Sequence, residues 1–199
     1  MISMTSTRST PKPAGRMLLL LVAVFALPFL IGSGLFWSGW RPDKSGNHGE
    51  LLQPPRSLPA NGLQHVDGRA LSSTELHGKW LLVLPLDGEC QAACLKNLQQ
   101  MQQVHMALTK GQNRLQRVLV RSGVSEPAAA LQGRFPDLLV GIVQAGPAGL
   151  AWQHALDGAG QGVYIVDPLG NVVLRYAAPV EMRGVLKDIE RLLKYSWIG

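Results

Sequence analysis

The chain begins with one long apolar stretch and continues with short apolar runs separated by polar turns. Residues 17–37 contain no charged side chain, and a stretch of that length can cross a bilayer as a helix. We therefore predict a transmembrane helix over residues 17–40, with Trp37 and Trp40 at the interface, where indole rings are enriched. Residues 1–16 form a short arm before it. Residues 41–60, rich in proline, glycine and charge, are predicted to be a tether.

From residue 61 onwards, strand-like runs alternate with segments of helical periodicity. Strands are predicted at 79–86, 115–121 and 138–143, and a late hairpin pairs 162–167 with 171–176. Helices are predicted at 91–110 and 179–195, with shorter ones starting near 125 and spanning 147–156. This alternation predicts an α/β fold in which helices flank a mixed central sheet, with residues 61–199 as one domain.

Charge indicates which side of the membrane this domain occupies. Arg8, Lys12 and Arg16 precede the apolar stretch, and no acidic residue accompanies them. Positive charge favours the cytoplasmic side, so residues 41–199 should lie outside the cytoplasm. In a bacterium this means a single-pass inner-membrane protein with a periplasmic domain. A cleaved signal peptide is the competing interpretation, but its apolar core would be shorter and would end in a clear small-x-small site.

Composition narrows the function classes further. The chain has 199 residues, 46% of them hydrophobic, and a formal net charge of +6. Part of that charge belongs to the arm, and the basic residues of the domain are scattered rather than clustered. A nucleic-acid partner is therefore not expected.

Two cysteines carry the candidate chemistry. Cys90 and Cys94 are the only cysteines in the chain, and they follow a predicted buried strand at the start of a predicted helix. A helix N-terminus favours a thiolate, and a spacing of four brings both sulfurs within reach of a disulfide or a shared soft metal ion. The alternative is a pair of buried structural cysteines, which are common in apolar cores.

The chain resembles the Sco/SenC family of membrane-anchored cytochrome c oxidase assembly proteins, which have a thioredoxin-like fold. The likeness is carried by Asp67-Gly68-Arg69-Ala70-Leu71, by the run from Leu76 to Val83, by Cys90-x-x-x-Cys94 and by Tyr164-Ile165-Val166-Asp167-Pro168-Leu169-Gly170. The single anchor and the tether also fit that family. Thioredoxins, by contrast, have two residues between their cysteines.

The resemblance implies a role in maturing the copper centre of cytochrome c oxidase. The protein would deliver Cu(I), reduce the target cysteines, or do both, with Cys90 and Cys94 as redox and copper-binding residues. Its partner would be cytochrome c oxidase subunit II or another assembly factor. The family histidine that completes the copper site corresponds to Ala159 here, and the nearest replacement ligand is His154. Prolines that usually surround the cysteines are also absent.

Two other functions remain open. A general periplasmic thiol–disulfide oxidoreductase or peroxidase-like enzyme would use the same cysteines, although the thioredoxin-type proline before the late strand is missing. A non-catalytic assembly scaffold would retain the fold without its chemistry. The sequence therefore leans toward a metallochaperone or assembly factor rather than an enzyme, with thiol–disulfide activity as an open question.

The predicted topology can be tested by a reporter fusion. A periplasm-only reporter enzyme joined after Gly199 should be active, because the basic arm holds the other end of the helix in the cytoplasm. The matched control is the same fusion to a reporter that works only in the cytoplasm. Activity from that reporter alone would contradict the topology.

Overall fold

The computed structural model describes residues 13–39, 46–122, 128–157 and 162–198. The chain divides into two units, residues 1–45 and residues 46–199. The first contains one long helix, and the second contains the sheet and the remaining helices.

Helix α1, Pro13–Trp37, is the apolar element of the first unit. Within the described residues, its segment Gly15–Trp37 is the one helix long and apolar enough to cross a membrane, judged by length and composition. The candidate N-terminal apolar helix expected from the sequence is therefore present. Most of the preceding arm and the interfacial Trp40 lie outside the described residues.

Seven strands form a single mixed sheet among the described residues of the second unit, in the order β1-β7-β6-β3-β4-β5-β2. They are β1 (Glu50–Ser57), β2 (Leu63–Gln64), β3 (Trp80–Asp87), β4 (Leu115–Ser122), β5 (Leu138–Val143), β6 (Gly162–Val166) and β7 (Asn171–Ala177). Strands β3, β4 and β5 are parallel, and the others run antiparallel to their neighbours. The predicted α/β fold with a mixed sheet is confirmed.

Five helices accompany the sheet in this part of the described chain: α2 (Ser73–Leu76), α3 (Ala92–Ala107), α4 (Ala128–Arg134), α5 (Pro147–Ala155) and α6 (Met182–Tyr195). Helix α3 is shorter than the predicted span 91–110. The chain leaves it at Leu108, and Gly111 adopts a positive φ of 124° before a 3-10 turn. Helix α6 begins three residues later than predicted, because Pro179 and Val180 belong to the preceding loop.

The side chains of β3 point alternately to the two faces of the sheet, and the hydrophobic core accordingly has two halves. Leu82 and Leu84 face one side of the sheet, where they pack with residues of α3 and α6. Leu81 and Val83 face the other side, where they pack with Trp152 of α5. Successive side chains of a strand point to opposite faces, so an uninterrupted apolar run such as this one requires cover on both.

Residues 50–57 differ from the sequence prediction, which assigned residues 41–60 to a tether. They form β1, which pairs antiparallel with β7 at the edge of the sheet. Only Leu52 of this strand is buried, so backbone hydrogen bonds rather than an apolar stripe hold it. A strand without an apolar pattern gives no hydrophobic signal in the sequence, which is why the prediction missed it.

Asp188 fastens the start of the domain to α6. Its carboxylate is 2% exposed and accepts hydrogen bonds from the backbone N–H groups of His48 (2.8 Å) and Gly49 (2.9 Å) and from the Tyr176 hydroxyl (2.7 Å). The His48 ring Nδ1 lies 3.2 Å from its other oxygen. Burial acts to raise the pKa of Asp188, but these hydrogen bonds together hold it below its usual range.

We expect Asp188→Asn to lower the free energy of unfolding by about 2 kcal/mol, because three donors lose a charged acceptor. Urea unfolding of the full chain in detergent measures it. Because the pKa of Asp188 is lowered in the folded state, its carboxylate contributes fully to the free energy of unfolding above the unfolded-state pKa of about 3.9. This contribution is lost as the pH falls through the folded-state pKa. The difference between wild type and variant should therefore shrink below about pH 4.

The matched control for this substitution is Glu190→Gln, the same acid-to-amide change at an exposed position of α6. It should leave the unfolding free energy nearly unchanged. Equal effects of the two substitutions would contradict the role assigned to Asp188.

Candidate functional site

The turn between β3 and α3 brings the two cysteines to one edge of the sheet. Strand β3 ends at Asp87, Gly88 adopts a positive φ of 82°, and α3 begins at Ala92. Cys90 thus stands just before the helix, and Cys94 is the third residue of its first turn. This is close to the predicted arrangement, with the helix starting two residues after Cys90.

Cys90 and Cys94 form a disulfide, with their Cα atoms 5.2 Å apart. Cys94 is 7% exposed and packs into the core half shared by α3 and α6, whereas Cys90 is half-buried at its border. Cys90 is therefore the more accessible residue of the two. The prediction that the pair lies within disulfide distance agrees with this geometry.

The electrostatics of the pair combine two opposing influences. Gln91 caps α3 without a side-chain hydrogen bond to the first turn, and the N-terminus of a helix, with its N–H groups that lack intrahelical acceptors, favours a thiolate at a nearby cysteine after reduction. The exposed carboxylates of Asp87 and Glu89 flank the same turn and oppose ionisation. The helix N-terminus belongs to the folded backbone, whereas the charges of Asp87 and Glu89 are exposed, so solvent and salt screen their effect on the thiol pKa.

A groove of about 770 Å³ opens beside Cys94. One wall is formed by the end of β3, from Leu84 to Asp87, and another by the first turns of α3. The third wall is Ala178–Val180, the loop between β7 and α6. A partly apolar surface therefore lies next to Cys94.

Pro179 is the lining residue that the sequence analysis missed. The sequence has no proline directly before β6, the position of the thioredoxin-type proline. Strands β6 and β7 are antiparallel, with Gly162 opposite Ala177, so the residues after β7 reach the same edge as those before β6. The hairpin pattern, combined with Pro179 two residues beyond it, was the available signal.

Arg121 supports the turn that carries Cys90. It stands opposite Leu86 in the parallel register of β3 and β4, and it is 2% exposed. Its guanidinium donates a hydrogen bond to the Gly88 carbonyl at 3.3 Å. A buried cation thus contacts the backbone two residues before the half-buried Cys90. The apolar periodicity of β4 in the sequence gave no sign of this contact.

His154, the third metal ligand expected from the sequence, is not brought to the cysteines. It is exposed near the end of α5, which packs through Trp152 on the face of the sheet opposite to α3. The topology thus separates the imidazole from both sulfurs, and this corrects the expected ligand set. Ala159, at the family's histidine position, lies outside the described residues.

The donor set therefore limits which metal chemistry the site supports. Across the described residues, no three His, Cys, Asp or Glu side chains converge as a metal site. Cys90 and Cys94 are soft donors, and as thiolates they suit Cu(I). In the disulfide form both sulfurs are engaged with one another, so reduction must precede binding of a metal ion.

Comparison with known structures confirms the thioredoxin-like fold. Apo Sco1 from Thermus thermophilus is 18% identical with a TM-score of 0.59, and the match covers 76% of this chain and 99% of that one. Copper-bound ScoI from Arabidopsis thaliana is 13% identical with a TM-score of 0.58, covering 71% and 99%. The thioredoxin domain of a thiol-disulfide oxidoreductase from Bacteroides vulgatus is 15% identical with a TM-score of 0.52, covering 69% and 96%.

At these identities the likeness concerns the fold. The resemblance to Sco/SenC proteins noted from the sequence is confirmed at that level, since Sco structures are among those that the chain matches. A search of curated proteins finds no match. A family model described as the transmembrane-like, thioredoxin-like C-terminal domain matches residues 80–196, which span β3 to the end of α6 and include both cysteines. The chain belongs to this family of transmembrane-like, thioredoxin-like C-terminal domains.

Proposed function

We propose that this chain is a membrane-anchored, Sco-like protein that assists assembly of the copper centre of cytochrome c oxidase through Cys90 and Cys94. The observation that carries the proposal is the cysteine pair itself, with Cα atoms 5.2 Å apart at the start of α3 and with Cys94 lining a groove. The fold likeness to copper-bound Sco proteins supports it. The proposed location is the bacterial inner membrane, with residues 46–199 in the periplasm.

The order of the proposed thiol–disulfide steps rests on the unequal burial of the two cysteine residues. In the reduced protein, the Cys90 thiolate attacks a disulfide of the partner and forms a mixed disulfide, while the displaced partner sulfur leaves as a thiolate. The Cys94 thiolate then attacks the Cys90 sulfur and releases the second partner thiolate. The partner gains two electrons, this chain becomes the Cys90–Cys94 disulfide, and an external dithiol donor must reduce it again.

Copper enters this scheme as cargo. In the reduced protein, the thiolates of Cys90 and Cys94 would hold Cu(I), an ion that soft sulfur donors select. His154 is left out of the proposed site, because α5 lies on the opposite face of the sheet from α3. The proposed partner is subunit II of the oxidase, whose cysteines must be reduced before they can accept copper, or another assembly factor.

A general thiol–disulfide oxidoreductase is the second candidate function. The groove with Pro179 in its wall favours it, since this groove offers a surface for a partner polypeptide next to the disulfide. The fold likeness to a thiol-disulfide oxidoreductase domain adds support. This alternative uses the same cysteines but requires neither copper nor a dedicated partner.

Copper binding can be tested on the reduced full chain in detergent. We expect at most one Cu(I) per chain, measured by competition with a Cu(I) chelator, and complete loss of binding in Cys90→Ser and in Cys94→Ser. His154→Ala is the matched control and should leave the affinity unchanged. A loss of about 10- to 100-fold in that variant, typical of a disturbed ligand shell, would return His154 to the site.

The role in oxidase assembly can be tested by deletion. Loss of the gene should lower cytochrome c oxidase activity while other periplasmic disulfide proteins fold normally, and a Cys90→Ser, Cys94→Ser double variant should fail to restore it. Added copper should restore activity if delivery is the defect, but not if the target cysteines remain oxidised. Normal oxidase activity with widespread disulfide defects would favour the general oxidoreductase. Full complementation by the double variant would favour a non-catalytic scaffold.

A further inference from the structure

The residues at the end of α6 expose an apolar cluster that the thiol site does not use. Trp197 is 100% exposed, Tyr195 69% and Ile198 53%. These three large apolar side chains stand within four consecutive residues. Water-exposed aromatic clusters are uncommon on soluble surfaces and mark sites of interaction.

This cluster, Tyr195–Ile198, is held in a defined position. The Arg114 guanidinium donates hydrogen bonds to the carbonyls of Leu193 (3.0 Å), Ser196 (2.9 Å) and Ile198 (3.1 Å). The Ser196 hydroxyl also donates to the Ile198 carbonyl at 2.8 Å. One cation from the β4 side of the domain thus fixes the backbone that presents the indole of Trp197 to solvent.

Basic side chains surround the cluster. Lys110, Arg114 and Lys194 line a groove of about 320 Å³ together with a single carboxylate, Glu190. The Lys194 ammonium lies 5.5 Å from the centre of the Tyr195 ring. Arg191 is exposed one turn earlier on α6. An aromatic cluster with a basic border is complementary to the headgroup region of an anionic membrane, where rings lie at the interface and each cation is attracted to lipid charge.

The chain enters the domain close to the same end of α6. The Arg191 guanidinium donates a hydrogen bond to the Gly46 carbonyl at 3.1 Å, and Asp188 holds the two residues His48 and Gly49. Only residues 38–45 separate Gly46 from the end of α1 at Trp37. Even fully extended, eight residues span at most about 29 Å. The covalent chain therefore limits how far the end of α6 can be from a bilayer that contains α1.

We propose that Tyr195–Ile198 and the basic groove beside it form a second, peripheral contact with the anionic surface of the bilayer in which α1 is anchored. The apolar side chains enter the interface, and Lys110 and Lys194 contact lipid phosphates. This contact orients the domain, and it depends on the anchor but not on the thiol chemistry of Cys90 and Cys94.

Fluorescence of Trp197 in the full chain tests the proposal. The wild-type spectrum minus that of Trp197→Phe isolates this indole, and the substitution removes no buried contact. In vesicles of phosphatidylethanolamine and phosphatidylglycerol, we expect emission blue-shifted from that of tryptophan in water, protection from acrylamide, and quenching by brominated lipid. Water-like emission with full acrylamide access in these vesicles would overturn the proposal.

Charge reversal tests the basic border against a matched control. Lys194→Glu should shift the ratio of docked to free Trp197 by more than about fivefold toward the free state, because loss of one surface cation near anionic lipid alone gives about fivefold and the reversal also adds a negative charge. Lys96→Glu, the same reversal at an exposed position on α3, should leave Trp197 protected. Vesicles of phosphatidylcholine alone should weaken protection in the wild type. Equal responses to both reversals would contradict a specific basic surface.

Discussion

The burial of β3 on both faces of the sheet is the constraint from which the rest of the domain follows. Its side chains from Leu81 to Val83 are fully buried, so helices must cover both sides. Covering them requires α3 and α6 on one face and α5 on the other. The position of the end of β3 is thereby fixed, and the tight turn that follows it places Cys90 just before the start of α3.

The site at that edge depends on three separate stretches of chain. The turn after β3 supplies the cysteines, Arg121 on the neighbouring strand supports the Gly88 carbonyl, and the loop after β7 contributes Pro179 to the groove. Because the three stretches are attached to strands of one sheet, the fold itself places them together. In the proposed function, the two cysteine sulfurs would be the ligands that the described residues offer to Cu(I).

The first residues of the domain are held in place by a strand pairing and by hydrogen bonds to one buried carboxylate. Strand β1 extends the sheet at its edge, and the buried carboxylate of Asp188 joins His48 and Gly49 to α6 and Tyr176. The Asp188 carboxylate also raises the pKa of Tyr176, although burial of the hydroxyl is the larger cause. These contacts join the start of the domain to α6, the helix that ends just before the exposed Trp197.

The sequence alone determined the features that follow from local patterns. An uncharged apolar stretch predicted α1, the apolar run before Asp87 predicted β3, and the spacing of Cys90 and Cys94 predicted a pair close enough for a disulfide. Their physical basis is local, since hydrophobic periodicity and helical geometry act over a few residues. The order of these elements also carried the resemblance that indicated the thioredoxin-like fold.

Only the tertiary structure decided what depends on which elements become neighbours. His154 and Cys94 are separated by the thickness of the sheet, whereas Pro179, far along the chain, reaches the cysteine groove because β7 runs antiparallel to β6. Strand β1 could not be predicted from the sequence, because its backbone, not its side chains, makes the stabilising contacts. Distances between remote residues are set by strand order and direction, and periodicity in the sequence contains neither.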